Sequence, residues 1–151
     1  AQAANSEDLR RSDAPLLPHN VKPKMIPSTA KGKKAFTDFR RLAQSPKGWE
    51  LWEARVDFFR PHQVRCHASV LEMPVMGDAL YGGLEAPTQG DLHPKKQRAG
   101  LGLPAFHGMA IHLAEVQLHP GEVESTIISE PPKHFRLMLR RMGLGDFSPD
   151  E

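Results

Sequence analysis

The feature that most constrains the fold is a change of residue period along the chain. In residues 49–59, WELWEARVDFF, the apolar positions Trp52, Ala54 and Val56 share one parity, which is typical of a strand. Residues 62–72 instead space Val64 and Leu71 as on one face of a helix, and Pro74 follows. The sequence therefore predicts a strand that leads into a helix over 62–72.

The same change of period recurs nearer the C-terminus. Residues 110–120 alternate like a strand with a phase shift between 113 and 116, which predicts a bulge. Residues 123–129, VESTIIS, predict its partner across a turn at HPGE. Residues 131–144 predict a helix with prolines at its start, Phe135, Leu139 and Met142 on one face, and Gly143 at its end. This order of elements predicts an α+β fold, with a mostly antiparallel mixed sheet and packed helices.

A chain of 151 residues has the size of one domain. Residues 1–30 hold four prolines and no sustained period, so we predict an extended arm laid over something else, or a disordered one, outside the folding unit. The domain itself should span 31–144, with a long polar loop at 84–104 and a tail at 145–151. The chain starts with Ala and shows no signal-peptide pattern, so we expect it to have been processed or cut from something longer.

Composition excludes several classes of protein. A net charge of only +2 argues against a global nucleic-acid-binding field, so a basic footprint must be local. One cysteine cannot form an internal disulfide. No apolar run approaches the roughly 18 residues of a membrane span.

Residues 60–83, RPHQVRCHASVLEMPVMGDALYGG, concentrate the chemically active side chains. A metal site could use His62, Cys66 and His67, but no CxxC or HExxH pattern supplies further ligands. Cys66 could be a nucleophile, although a buried helical cysteine usually acts as a small hydrophobe. The favoured alternative is a helix start that faces an anion, with Arg60 and His62 at its first turn and Arg65 and His67 one turn in.

This stretch resembles the GRTHQIRvHLaxxGhPIvGDxlYG signature of RluA-type RNA pseudouridine synthases. The flanks KGKKAFTDFRRL before it and AIHLAEVQLHP after it are similar to that family's strands, so the resemblance covers residues 31–144. The positions that fall in register are His62, Gln63, Arg65, His67, Pro74, Gly77, Asp78, Tyr81 and Gly82.

The resemblance implies isomerisation of uridine to pseudouridine in ribosomal or transfer RNA, with no cofactor and no metal. It implies that Arg65 pairs with the catalytic aspartate and keeps it ionised. The residue types themselves favour a turn-stabilising role for Asp78 and a packed side chain with one hydrogen bond for Tyr81. The residues expected to contact RNA are Arg60, His62, Gln63, His67, Lys95 and Lys96.

The family carries its catalytic aspartate in an RLDxxTSG segment, and no RLD occurs in these 151 residues. Arg65 is therefore expected to lack its carboxylate partner here. We interpret the chain as the C-terminal half of a synthase domain whose other half, with the RLD segment, is on a longer polypeptide or on a separate companion polypeptide. The alternative is an inactive RNA-binding or ribonucleoprotein assembly component. Bacterial cytoplasm and mitochondrial matrix both fit. Smaller departures are Phe59 and Glu72, which replace glycines, and Pro61.

Overall fold

The computed structural model describes residues 6–92 and 102–145. Its strands are β1 Leu9–Ser12, β2 Leu16–Pro18, β3 Met25–Pro27, β4 Thr37–Gln44, β5 Glu50–Arg55, β6 Glu115–Leu118 and β7 Ser125–Ile128. Its α-helices are α1 Gln63–Val70, α2 Gln89–Leu92 and α3 Lys133–Arg141, and 3-10 turns cover Ser6–Asp8 and Ala79–Tyr81.

The predicted α+β class is confirmed. In the described part of the chain, every strand pair is antiparallel, and the strands form three small sheets with the orders β1-β4-β5, β2-β3 and β6-β7. In β4 the side chains of Thr37 and Phe39 are buried while Asp38 and Arg40 are exposed, which is the alternation of a half-buried strand. The register of β4 against β5 shifts between Arg41 and Ala43.

The boundary predicted at residue 31 is not the edge of the packed structure, because residues between 6 and 30 pack against the rest of the domain. β1 pairs with β4 in register, and Leu16 of β2 and Met25 of β3 are buried in one cluster with Cys66 of α1. Leu16 also exchanges backbone hydrogen bonds of 2.9 and 2.8 Å with Lys33. The segment is extended and lies over α1, as one of the two alternatives had it, and it supplies part of the core.

Helix α1 is shorter than the predicted 62–72 at both ends. His62 precedes it in the left-handed region at φ 54°, and Glu72 follows it at φ 61°. The amide of Met73 donates to the carbonyl of Ala68 at 2.9 Å, and the amide of Glu72 donates to that of Ser69 at 3.0 Å. This is a Schellman ending, so the helix ends at Val70, four residues before Pro74. A left-handed conformation at position 72 explains why a glycine suits this place in the family signature.

Helix α3 follows its prediction closely. Pro132 precedes it, and Gly143 after it has φ 75°. Its apolar face forms the second core cluster, whose buried members are Phe106, Phe135, Met138, Leu139, Met142 and Leu144.

The predicted loop at 84–104 has structure at its described ends. The amide of Gln89 in α2 donates to Leu103 at 2.9 Å, and that of Ala105 donates to Pro87 at 2.8 Å, so the two ends are bonded to each other. The strand predicted over 110–120 is wrong in its bounds, because β6 begins at Glu115 and pairs with β7 without a register shift. The tail 146–151 lies outside the described residues. No helix in the described ranges is long and apolar enough to cross a membrane.

Candidate functional site

Arg65 on α1 is held by a carboxylate of the same chain. Its Nε donates to Oδ2 of Asp78 at 2.7 Å and its Nη2 donates to Oδ1 at 2.9 Å. The exposed fractions of the two side chains are 17% for Arg65 and 1% for Asp78. The turn after α1 thus folds Asp78 under the guanidinium of Arg65 in a bidentate pair, a carboxylate partner that was not predicted and that does not lie in an RLD segment.

The pair determines the charge of both groups. The hydrogen bonds from Arg65 hold the pKa of Asp78 below its usual value, although burial of the carboxyl acts in the opposite direction. The same hydrogen bonds raise the pKa of Arg65. Asp78 is therefore an ionised acceptor at neutral pH, and its backbone carbonyl accepts the turn amides of Tyr81 and Gly83 at 3.2 and 2.8 Å.

Tyr81 packs beneath the pair and connects it to the N-terminal segment. Its ring centre lies 5.0 Å from Cζ of Arg65. Its hydroxyl accepts the amide of Met25 at 2.8 Å and lies 2.9 Å from Nδ1 of His62. Burial raises the pKa of the Tyr81 hydroxyl. Tyr81 is a packed residue, as predicted, and its hydroxyl makes two hydrogen bonds where one was expected.

A second polar chain runs through the interior beside α1. Nε2 of Gln63 donates to Oγ1 of Thr37 at 3.1 Å, and Oγ1 lies 2.8 Å from Nδ1 of His67. Nε2 of His67 lies 2.8 Å from the carbonyl oxygen of Ala14. A carbonyl can only accept, so Nε2 carries the ring proton and the hydroxyl of Thr37 donates to Nδ1. The side-chain polar atoms of Gln63, Thr37 and His67 therefore all have hydrogen-bond partners when His67 is neutral.

This burial corrects two of the expected RNA contacts. Gln63 is 1% exposed and His67 is 0% exposed, and the polar atoms of both side chains are bonded inside the protein. Neither side chain reaches the surface, so their place in the motif is explained by packing of α1 against β4. The sequence pattern could not distinguish a buried hydrogen-bonding role from an RNA contact. The same residue types occur at a helix start that binds an anion and at one whose side chains hydrogen-bond within the core.

We expect the buried His67 to make stability depend on pH. Burial is the main cause that lowers its pKa, while the Ala14 carbonyl and the charge of Asp13 raise it. The unfolded chain, with an ordinary histidine pKa of about 6.5, then binds more protons than the folded one below that pH. The free energy of unfolding should fall as the pH drops below about 6.5, with a limiting slope of about 1.4 kcal/mol per pH unit.

Urea unfolding at about pH 7 and about pH 5.5 measures this change. His67→Gln should remove most of the difference between the two pH values, whereas His107→Gln, at an exposed position, should leave it in place. An equal pH dependence in wild type and His67→Gln would contradict the assignment.

Arg60 and His62 remain at the surface, both partly exposed. Nε of Arg60 donates to the carbonyl of Lys34 at 2.8 Å, and its Cζ lies 5.4 Å from the ring centre of Phe58. Two expected RNA contacts, Lys95 and Lys96, lie outside the described residues.

Cys66 is a buried thiol. It is 2% exposed, its Sγ lies 3.7 Å from the carbonyl oxygen of Met25, and burial raises its pKa. A thiol in that state is a poor nucleophile. Within residues 6–92 and 102–145, no group of three or more histidine, cysteine, aspartate or glutamate side chains could hold a metal ion.

Comparison with known proteins agrees with the motif. No family model matches the chain. It is 31% identical over 134 residues to ribosomal large subunit pseudouridine synthase D of Zymomonas mobilis, covering 86% of this chain and 39% of that protein. It is 29% identical over 109 residues to the protein of the same name from Haemophilus ducreyi, covering 72% of this chain and 32% of that protein.

The fold is also similar to solved structures. Human RNA pseudouridylate synthase domain containing 4 superposes with a TM-score of 0.62 at 18% identity, over 93% of this chain and 58% of that one. The chain thus spans 32% and 39% of the length of the two bacterial relatives and 58% of the length of the human structure. The motif, the sequence similarity and the fold agree, and the chain belongs to the RluA-type family of RNA pseudouridine synthases.

Proposed function

We propose that this chain forms the C-terminal part of an RNA pseudouridine synthase domain, whose catalytic aspartate comes from an RLD segment outside these 151 residues. Its substrate would be a uridine in ribosomal or transfer RNA, in bacterial cytoplasm or mitochondrial matrix. The relatives with matching sequence are named as pseudouridine synthases of the large ribosomal subunit. The observation that carries the proposal is the intact HQxR motif, with Arg65 fixed at the site by Asp78.

The geometry leaves Arg65 able to bind a second carboxylate. Asp78 takes Nε and Nη2, and no bond to Nη1 is found in the described part of the chain. The Arg65 side chain is 17% exposed, so a further acceptor that reaches Nη1 would not have to break the existing pair. An aspartate placed there would stay ionised beside the positive charge.

Uridine and pseudouridine are isomers, so the reaction consumes no oxidant, reductant or group donor. The bond from C1′ to N1 of the base breaks and a bond from C1′ to C5 forms, while C5 loses a proton and N1 gains one. The target base would have to leave the RNA stack to reach Arg65. Arg60, His62, Lys95 and Lys96 are the proposed contacts to the RNA backbone.

The second candidate is an RNA-binding or ribonucleoprotein assembly component without activity. One observation favours it: Arg65 already has a buried carboxylate partner in Asp78, so the site is stable without a catalytic aspartate. A single assay separates the two candidates.

The assay uses the native complex, purified through an affinity tag on this chain, and RNA tritiated at C5 of uridine. Isomerisation releases the tritium to water. We expect release by the complex and a loss of about 100-fold or more in Arg65→Met, because a positioned charge at the reacting group has an effect of that size. Arg141→Met removes an exposed charge on α3 and should keep full activity. Binding of RNA without any tritium release would favour the inactive component.

A further inference from the structure

Exposed aromatic rings alternate with cations beside the start of α1. Phe58 is 71% exposed, Phe59 is 62% exposed and Phe36 is 46% exposed. Cζ of Arg60 lies 5.4 Å from the ring centre of Phe58, and Cζ of Arg11 lies 5.0 Å from that of Phe36. We call this surface the aromatic–cation strip, and its residues are Arg11, Lys34, Phe36, Phe58, Phe59 and Arg60.

The backbone of the aromatic–cation strip is held in place by hydrogen bonds to a buried side chain. The buried Gln63 accepts the amide of Arg60 through Oε1 at 2.9 Å, and its Nε2 donates to the carbonyl of Phe36 at 2.9 Å. One side chain therefore bonds both segments that carry the rings. Nε of Arg60 adds a third link at 2.8 Å to the carbonyl of Lys34. A ligand can meet these rings with little cost of ordering the backbone.

The local charge is clearly positive. Arg11 together with residues 31–38 and 56–60 carries five cations, Arg11, Lys31, Lys33, Lys34 and Arg60, against the carboxylates of Asp38 and Asp57. The resulting +3 exceeds the +2 of the whole chain. Asp38 offsets Arg11 only weakly, since they are 3.6 Å apart and both more than half exposed.

We infer that the aromatic–cation strip binds unpaired nucleotides of RNA, with bases stacked on the phenylalanine rings and phosphates on the cations. Stacking on aromatic side chains and attraction to Lys and Arg are the two contributions that bind single strands without sequence preference. A duplex keeps its bases stacked on one another and cannot offer them to the rings. The inference rests on the proposed function for the choice of RNA, but binding does not require isomerisation.

A protein partner fits this surface less well. Lysine is depleted at the centre of protein interfaces, whereas the strip carries Lys34, and Lys31 and Lys33 lie next to it in sequence. Phe58 also stays 71% exposed with Arg60 against its ring, so area for a stacked base remains.

The test measures binding of the full chain to a labelled single-stranded oligouridylate of about 10 nucleotides by fluorescence anisotropy. The double variant Phe58→Ala, Phe59→Ala should bind about 10-fold or more weakly. The control Val123→Ala removes another apolar side chain, 64% exposed, from the turn between β6 and β7, and should bind within about twofold of wild type. The logarithm of the affinity falls with the logarithm of the salt concentration, and Lys34→Ala should make that negative slope shallower by about 0.7.

Equal affinity of wild type and the double phenylalanine variant would overturn the inference. So would a double variant that binds RNA normally but loses self-association in light scattering, because the strip would then be a protein interface. The tritium-release assay is independent of this result: a complex without isomerase activity whose RNA affinity still depends on the two rings would refute the proposed function and support the strip.

Discussion

Asp78→Asn is expected to lower the free energy of unfolding by about 3 kcal/mol. The substitution keeps the shape of the side chain and removes its charge, so Arg65 loses a bidentate ionic partner at a site where only 17% of its side chain is exposed. Removal of one member of a largely buried pair is costly because the other charge remains without a partner. Urea unfolding at neutral pH measures the difference.

The matched control is Asp38→Asn, which makes the same chemical change at the exposed Arg11–Asp38 contact of 3.6 Å. We expect an effect below about 1 kcal/mol there. A second control, Arg65→Met combined with Asp78→Asn, should be more stable than Asp78→Asn alone, since the charge without a partner is gone. Similar small losses in Asp78→Asn and Asp38→Asn would show that the pair contributes little.

The Arg65–Asp78 pair also makes the free energy of unfolding depend on pH in the acid range. The folded pKa of Asp78 lies below its usual value, so its contribution is complete above the unfolded pKa of about 3.9. That contribution is lost as the pH falls through the folded pKa, because the unfolded chain takes up the proton first. The Asp78→Asn variant should lack this part of the acid-induced loss.

The sequence predicted elements whose signals are local. Helix α3 has prolines before it, Gly143 after it and an apolar face, and each of these acts within one or two turns. The N-terminal segment could not be predicted in this way. Its strands β1, β2 and β3 have only three or four residues each, too few to show a period, and they form because β4 and α1 offer partners distant in sequence.

In the site, too, the contacts that could not be predicted join residues that are distant in sequence. A largely buried arginine such as Arg65 requires a carboxylate partner, but its sequence context does not identify which one. Its partner Asp78 lies thirteen residues further on. The turn that brings it back depends on Tyr81 packing beneath Arg65, which no local pattern records. The network of Gln63, Thr37 and His67 likewise joins residues up to thirty positions apart.

Leu16→Ala is expected to destabilise the whole domain by about 3 kcal/mol. Leu16 is completely buried in the cluster with Met25, Ala35, Cys66 and Tyr81, and its backbone is bonded to Lys33 in both directions. Truncation would leave a cavity between the N-terminal segment and α1. Tyr81, which packs against Arg65, would line this cavity. We therefore expect one cooperative unfolding transition at a lower urea concentration.

The control Val21→Ala, 87% exposed between β2 and β3, shortens a side chain of the same segment and should change stability by less than about 0.5 kcal/mol. Hydrogen exchange at the amides of β1 and α1 supplies a second readout. If the N-terminal segment belongs to the folding unit, Leu16→Ala lowers protection in both elements together, because they open in one transition. Protection lost in β1 and retained in α1 would instead mean that residues 6–30 open as a separate arm, and that the site around Arg65 is stable without them.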